Sequence, residues 1–388
     1  MLLANPTVLA IVGGGLILSA AAASAAAPTK AAATVRYTNE RVVLKSRPHG
    51  EFSASNLKLT TEEQDLSSAP LEDGEVLVAV DMLSIEAFYR TTLDEEAYHG
   101  STALGQVVPA IGYGRVIASS SKKFKVGARV TGMLGAQQFA RVAAAGLQPA
   151  ASLPGTRPSD VLGRMGLSGL TAYIGVACVL GPPRRKQVVV VSAAAGGVGS
   201  LAAQIAKARG AFVIGVAGGA AKRAYLLESL GLDGAVDYKS KDESIGAQLD
   251  RLCPEGVDFF FDNVGGEVLD AVLERLRRDA RVVLCGGASH YAAGQVNKGA
   301  VIGPSKYLKL AERGATMKGF NVMFYLPRKI PAFLWKMLRL IWRGKLRMDE
   351  HVSHGIGSFP RAMESMFDGS APPGKLLVNV SAAEPVQA

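Results

Sequence analysis

Gly196, Gly197 and Gly199 stand directly between the run Val188–Val191 and the helix-like stretch SLAAQIAKAR. Glycine lacks a Cβ, so a reversal at these positions lets backbone amides approach a phosphate closely. The following helix adds unpaired N–H groups and the positive end of its dipole. Gly196, Gly197, Val198 and Gly199 are therefore candidates to hold a pyrophosphate. Ala194 stands where the usual G-x-G-x-x-G pattern has its first glycine, so the glycines alone would also suit a plain structural turn. The strand–turn–helix–strand order favours a dinucleotide. The Gly-Lys-Ser/Thr ending of a nucleoside triphosphate loop is missing.

The end of the next strand bears on which dinucleotide. NAD sites commonly place Asp or Glu there to accept bonds from the adenosine ribose. This chain reads Val216-Ala217-Gly218-Gly219-Ala220-Ala221-Lys222. A carboxylate would repel a ribose 2′-phosphate, whereas Lys222 would neutralise it. The pattern therefore points to NADPH/NADP+, with an ordinary surface lysine as the plainer reading of Lys222. Metal chemistry finds little support. Cys178, Cys253 and Cys285 form no CxxC pair, and His49, His99, His290, His351 and His354 complete no familiar zinc spacing. His351 and His354 would share a helical face, but a loop or surface role suits them better.

The elements that must position these residues follow from the hydrophobic pattern. From residue 162 onward a helical run, VVVV, SLAAQIAKAR, AFVIGVA and AAKRAYLLESLG alternate, which predicts a parallel sheet covered by helices. VDFFFDNVGG and RVVLCGG read as further sheet edges flanking the helical EVLDAVLERLRR. Upstream, from about residue 35 to 160, short apolar runs broken by Gly and Lys turns indicate a strand-rich domain. With 388 residues, two cores are expected.

The hydrophobic fraction of 48% and charged fraction of 20% suit a soluble globular enzyme. The net charge of +10 comes without a long Lys/Arg block, zinc-finger spacing or aromatic-interleaved basic strands. No nucleic-acid partner is expected. The stretch PRKIPAFLWKMLRLIWRGKLR is basic and aromatic. Leu334, Met337, Leu338 and Ile341 would line one face of a helix, and Trp335, Leu338 and Trp342 a neighbouring one. Packing inside the molecule or between subunits is preferred to contact with a membrane surface. Met1–Thr29 contains no charged residue. Its apolar core and Ala-rich end resemble a leader peptide without the basic n-region. Leader, organelle-targeting prefix, membrane anchor and misassigned start codon all stay open. A soluble cytoplasmic or organellar catalytic domain is expected, with membrane contact through the prefix as the alternative.

Linked motifs extend this picture. They are Leu83-Ser84-Ile85 with Tyr89-Arg90, Gly112-Tyr113-Gly114, LGRMGLSGLTAY at 162–173, SAAAGGVGS at 192–200 and Lys222. The VDY ending at Tyr238, FDNVGG at 261–266 and LCGGASHY at 284–291 complete the set. Across about residues 38 to 382 the chain resembles the zinc-free medium-chain dehydrogenase/reductase superfamily. Within it, the chain is similar to the prostaglandin reductase, leukotriene B4 dehydrogenase-like and alkenal double-bond reductase group.

The resemblance implies an α/β fold in which a Rossmann doubly wound parallel sheet joins a GroES-like strand-rich catalytic domain. It places a prefix at 1–34, the GroES-like domain at 35–165, the Rossmann domain at 166–325 and a return to the catalytic domain at 326–383. The active cleft would lie between the domains, and a homodimer is implied. By position, Lys222 resembles the lysine on the 2′-phosphate and Tyr238 a tyrosine of the cofactor pocket. Asn263, Cys285 and Gly286 would border the nicotinamide half, and Tyr291 would face the substrate carbonyl. Read without the resemblance, Tyr238 and Tyr291 are partly buried packing residues and Cys285 a buried small residue.

The implied reaction moves hydride from NADPH to the β-carbon of a small hydrophobic enal or enone. Tyr291 and a cofactor ribose hydroxyl would donate to the carbonyl oxygen, and no metal is needed. Two departures stand out. Gly135-Ala136-Gln137 replaces a common GWQ, and Gly369–Lys375 replaces a GxNxGK segment without its Asn and with one extra residue. A zinc-independent quinone reductase and a non-catalytic, membrane-associated nucleotide-binding regulator are the alternatives.

Overall fold

The computed structural model of the protein describes residues 35–97, 99–150, 153–292, 301–380 and 386–387. The prefix, on which the targeting and anchoring expectations rest, lies outside the described residues.

The first part of the chain is strands joined by turns and short 3-10 helices, among them Ala87–Leu93. It comprises β1 (Val35–Leu44), β2 (Leu57–Asp65), β3 (Glu75–Ser84), β4 (Ile111–Ser119), β5 (Arg129–Met133), β6 (Phe139–Ala143) and β7 (Gln148–Pro149). β3 explains why this region has a core. Val76, Val78 and Val80 point into one apolar cluster and Leu77 and Ala79 into another, as the two-residue period of a strand requires.

The second part alternates. Helix α1 (Leu167–Ala177) precedes β8 (Val188–Val191), α2 (Gly197–Lys207), β9 (Phe212–Ala217), α3 (Ala220–Ala224), β10 (Gly234–Asp237) and α4 (Ile245–Leu252). Then come β11 (Val257–Asp262), α5 (Gly266–Leu273), β12 (Leu276–Leu284), α6 (Ala288–Ala292), α7 (Leu308–Arg313) and β13 (Thr316–Gly319). The six strands run in the order β10-β9-β8-β11-β12-β13 and every pairing is parallel. Val189 and Val191 face one apolar layer and Val190 the other, which is why β8 reads as an unbroken apolar run. The chain winds outward from β8 to β10 and then crosses back to place β11 on the other side of β8. Their carboxyl ends form the switch point where such sheets bind ligands.

Several expectations change. β11 and β12 are interior strands rather than edges, because β11 lies between β8 and β12 and β13 supplies a further strand beyond β12. The helix α8 (Ile330–Trp342) buries Ile330, Phe333, Met337 and Ile341 in the same apolar core as α1 and α2. The face expected from Leu334 and Leu338 is thus only its half-buried flank, and the return to the first domain starts later than residue 326. It begins with β14 (Glu350–His354) and, after α9 (Phe359–Asp368), continues with β15 (Lys375–Asn379) and the short β16 (Val386–Gln387). β14 and β15 extend the first sheet in the order β14-β15-β3-β4-β5-β7, and β16 pairs with β1. His351 and His354 therefore lie on a strand rather than a helix. Among the described residues, no helix is long and apolar enough to cross a membrane.

Candidate active site

The glycine turn expected to hold phosphate lies at the carboxyl end of β8. The helix α2 begins at Gly197, and its N-cap, Gly196, supplies no side-chain hydrogen bond. Its leading N–H groups are thus left to an outside acceptor. Ala193 adopts a left-handed backbone conformation (φ 48°), and Gly196 N donates to Ala193 O at 3.0 Å. A methyl at Gly199 would overlap the Ala193 carbonyl, so the tight approach of turn and helix requires glycine there. The replaced GxNxGK segment still reaches this turn: Gly374 N donates to Ala195 O at 2.7 Å, and a Cβ on Gly197 would lie 3.2 Å from Lys375 Cδ.

At the end of β9, Gly218 has room for no side chain because the Tyr238 ring lies 2.7 Å from its would-be Cβ. Tyr238 is 47% exposed, so it is a surface ring over a glycine rather than a packing residue. Lys222 is half-buried. Burial first, then the neighbouring Lys239 charge, lowers its ammonium pKa from the usual value, opposed by Asp368. Two mutually repelling cations beside a glycine strand end fit a phosphate dianion. Lys239 was not singled out in the sequence, although it follows Tyr238 directly. The acid at the end of β10 is tied into the fold through one oxygen: Asp237 Oδ1 accepts from Gly219 N at 2.8 Å and Lys239 N at 2.9 Å.

The opposite side of the switch point is organised by Asp262, fully buried at the end of β11. Its Oδ1 accepts from Ser192 Oγ at 2.7 Å and Val264 N at 3.0 Å, and its Oδ2 from Gly265 N at 3.0 Å. Asn263 Nδ2 donates to Ser192 O at 2.7 Å, which ties the ends of β8 and β11 together. Cys285 N and Gly286 N both donate to Asp262 O, at 2.7 and 3.3 Å. Sequence reasoning quoted this FDNVGG segment but passed over its aspartate, whose signal is one acceptor followed by glycines that leave N–H groups open to it. Burial pushes the Cys285 thiol up to about 12, with Asp262 adding to the effect. The thiol stays protonated near neutrality.

Tyr291 sits on α6, which packs against the short 3-10 helix Ala87–Leu93 of the first domain. Its hydroxyl lies 3.1 Å from the would-be Cβ of Gly286. Burial raises its pKa above the usual 10.0, opposed by a backbone hydrogen bond with Gly287. The structure thus brings Asn263, Cys285, Gly286 and Tyr291 together on one side of the switch point, Gly196–Gly199 at its centre, and Lys222 and Tyr238 at the β9–β10 end. A depression of about 570 Å³ lined by Lys186, Gly210 and Cys253 opens at the opposite end of the sheet. Among the described residues, no group of three or more His, Cys, Asp or Glu side chains is placed to hold a metal ion.

Known proteins resemble the chain over most of its length. The family model described as zinc-binding dehydrogenase matches residues 197–338, and that for the N-terminal domain of oxidoreductase matches residues 40–150. The chain is 32% identical over 344 residues to an NADPH-dependent curcumin reductase of Escherichia coli K12, covering 88% of this chain and 97% of that protein. It is 32% identical over 351 residues to a 2-alkenal reductase (NADP(+)-dependent) of Nicotiana tabacum, covering 89% and 98%. The crystal structure of CurA from Vibrio vulnificus in complex with NADPH superposes with a TM-score of 0.80 at 31% identity, covering 89% of this chain and 100% of that one. With relatives of this kind matched over most of its length, the chain is an NADPH-dependent oxidoreductase and belongs to the zinc-free reductase group of the medium-chain dehydrogenase/reductase superfamily.

Proposed function

We propose that the protein reduces the activated carbon–carbon double bond of α,β-unsaturated aldehydes or ketones. The observation that carries this reading is the position of Tyr291, a protonated phenol held over Gly286 beside the first domain. The names of the alkenal and curcumin reductases support the same substrate chemistry. Bound NADPH supplies the hydride for the β-carbon. Gly196, Gly197, Val198 and Gly199 would hold the pyrophosphate, with Lys222 on the 2′-phosphate and Tyr238 against the adenosine half. Asn263, Cys285 and Gly286 would shape the floor beneath the nicotinamide, stiffened from below by Asp262.

As negative charge grows on the substrate carbonyl oxygen, the Tyr291 hydroxyl donates a hydrogen bond to it. Its raised pKa keeps that proton in place. Solvent then protonates the α-carbon. The cleft between the Rossmann unit and the strand-rich unit would fix the enone relative to the cofactor. The test is product identification after incubating an enal and enone panel with deuterium-labelled NADPH. Label at the β-carbon of a saturated carbonyl product supports the reading. An allylic alcohol that retains the double bond overturns it, as does turnover of quinones alone.

A further inference from the structure

The outward face of α8 has no part in the reaction described above. Residues 324–347 contain seven Lys or Arg and no Asp or Glu, in a chain whose whole net charge is +10. Arg347 pairs with Asp349. Arg328, Lys329, Lys336, Arg339, Arg343 and Lys345 are exposed. With Ile330, Phe333, Met337 and Ile341 facing inward, the 3.6-residue period turns Trp335, Arg339 and Trp342 outward along one line, flanked by Lys336 and Arg343. Trp335 is 59% and Trp342 55% exposed. Trp342 Nε1 already donates to Pro154 O at 2.6 Å, so its exposed ring offers a partner carbon surface rather than a donor.

We propose that this face docks the protein onto an anionic phospholipid surface. Tryptophan prefers the boundary between headgroups and acyl chains, and lysine and arginine reach from the same helix to the phosphates. Repeated cations with no interspersed carboxylate match a negative leaflet. A convex helix face suits a flat bilayer better than it suits a nucleic-acid strand, which is held in a groove. The same chain carries the uncharged, apolar stretch Met1–Thr29, and stable attachment takes two signals of this kind.

The chain has two tryptophans, and both lie on this face. Intrinsic fluorescence of the full-length protein therefore reads the contact directly. Titration with phosphatidylcholine vesicles containing phosphatidylglycerol should blue-shift the emission, and brominated acyl chains should quench it. Vesicles of phosphatidylcholine alone should bind far more weakly, and added salt should reverse the binding. The triple variant Lys336→Gln, Arg339→Gln, Arg343→Gln should lose on the order of 100-fold in partitioning, about fivefold per charge, with NADPH oxidation and melting temperature unchanged. Trp335→Ala should weaken partitioning as well. Equal binding to neutral and anionic vesicles, or wild-type binding by the triple variant, would leave the prefix as the membrane element and overturn the proposal. Preference for a nucleic-acid polymer over vesicles, or a dimer that dissociates on Trp335→Ala, would overturn it in favour of those partners. Should the triple variant fold poorly, the wild-type quenching and salt responses decide alone.

Discussion

Lys375 Nζ lies 2.6 Å from Glu86 Oε1, although the two residues are 289 positions apart. Their side chains are 3% and 12% exposed. The same ammonium donates to Ile85 O at 3.2 Å and Ser168 Oγ at 3.3 Å, and its stem lies against Gly197. One side chain on β15 thus joins the end of β3, the start of α1 and the start of the phosphate-turn helix. Lys375→Met would strand the Glu86 carboxylate in a nearly dry site. A loss of about 3–5 kcal/mol is expected, measured by urea denaturation. Glu86→Gln combined with Lys375→Met should lose less than the sum of the two single variants; strict additivity would mean that the pair does not couple.

Gly199→Ala tests the phosphate turn. Alanine favours helix over glycine by about 1 kcal/mol, so propensity alone predicts a more stable protein. Overlap of the new methyl with the Ala193 carbonyl should instead open the turn and weaken NADPH binding by at least about tenfold. Titration calorimetry would show it, and unchanged affinity would place the cofactor elsewhere.

The glycine turn and the parallel sheet were legible in the sequence because their requirements are local. A buried strand must be apolar on both faces, and a turn that touches its helix must be glycine. The Lys375–Glu86 tie was not legible, since only the folded chain brings residues 86, 168 and 375 together. The inward face of α8 was legible only in part: Met337 and Ile341 go inside as expected, but Ile330 and Phe333 join them where Leu334 and Leu338 were expected. Several apolar stripes were available on a helix rich in leucine and tryptophan. Tyr173, 5.9 Å from Phe333 between ring centroids, helps to select the stripe that goes inside. Asp262 was quoted within its motif, but its role depends on Ser192, 70 residues earlier.

Lys222→Ala should separate the two nicotinamide dinucleotides. A charge-assisted hydrogen bond contributes about 1.5–3 kcal/mol, so the Kd for NADPH should rise by roughly 10–150-fold. NADH, lacking the phosphate, should change by less than about twofold. Lys239→Ala should act in the same direction with a smaller effect, since its ammonium lies near Gly369 and also faces Asp368. Equal losses for both dinucleotides would assign Lys222 to the fold instead of the phosphate.

Tyr291→Phe keeps the ring that packs beside Gly286 and removes only the hydroxyl. If that hydroxyl stabilises charge on the substrate oxygen, kcat should fall by about 10²–10³-fold, while NADPH affinity and thermal stability stay near wild type. The pH profile supplies a second check. Burial raises the phenol pKa above 10.0, so the donor remains protonated through the neutral and mildly alkaline range. Its ionisation should therefore cause no loss of kcat below about pH 10. An alkaline limb near pH 8 that survives in Tyr291→Phe would belong to another group. The same limb abolished by the substitution would show a phenol acidified in the complex, contrary to the burial seen here.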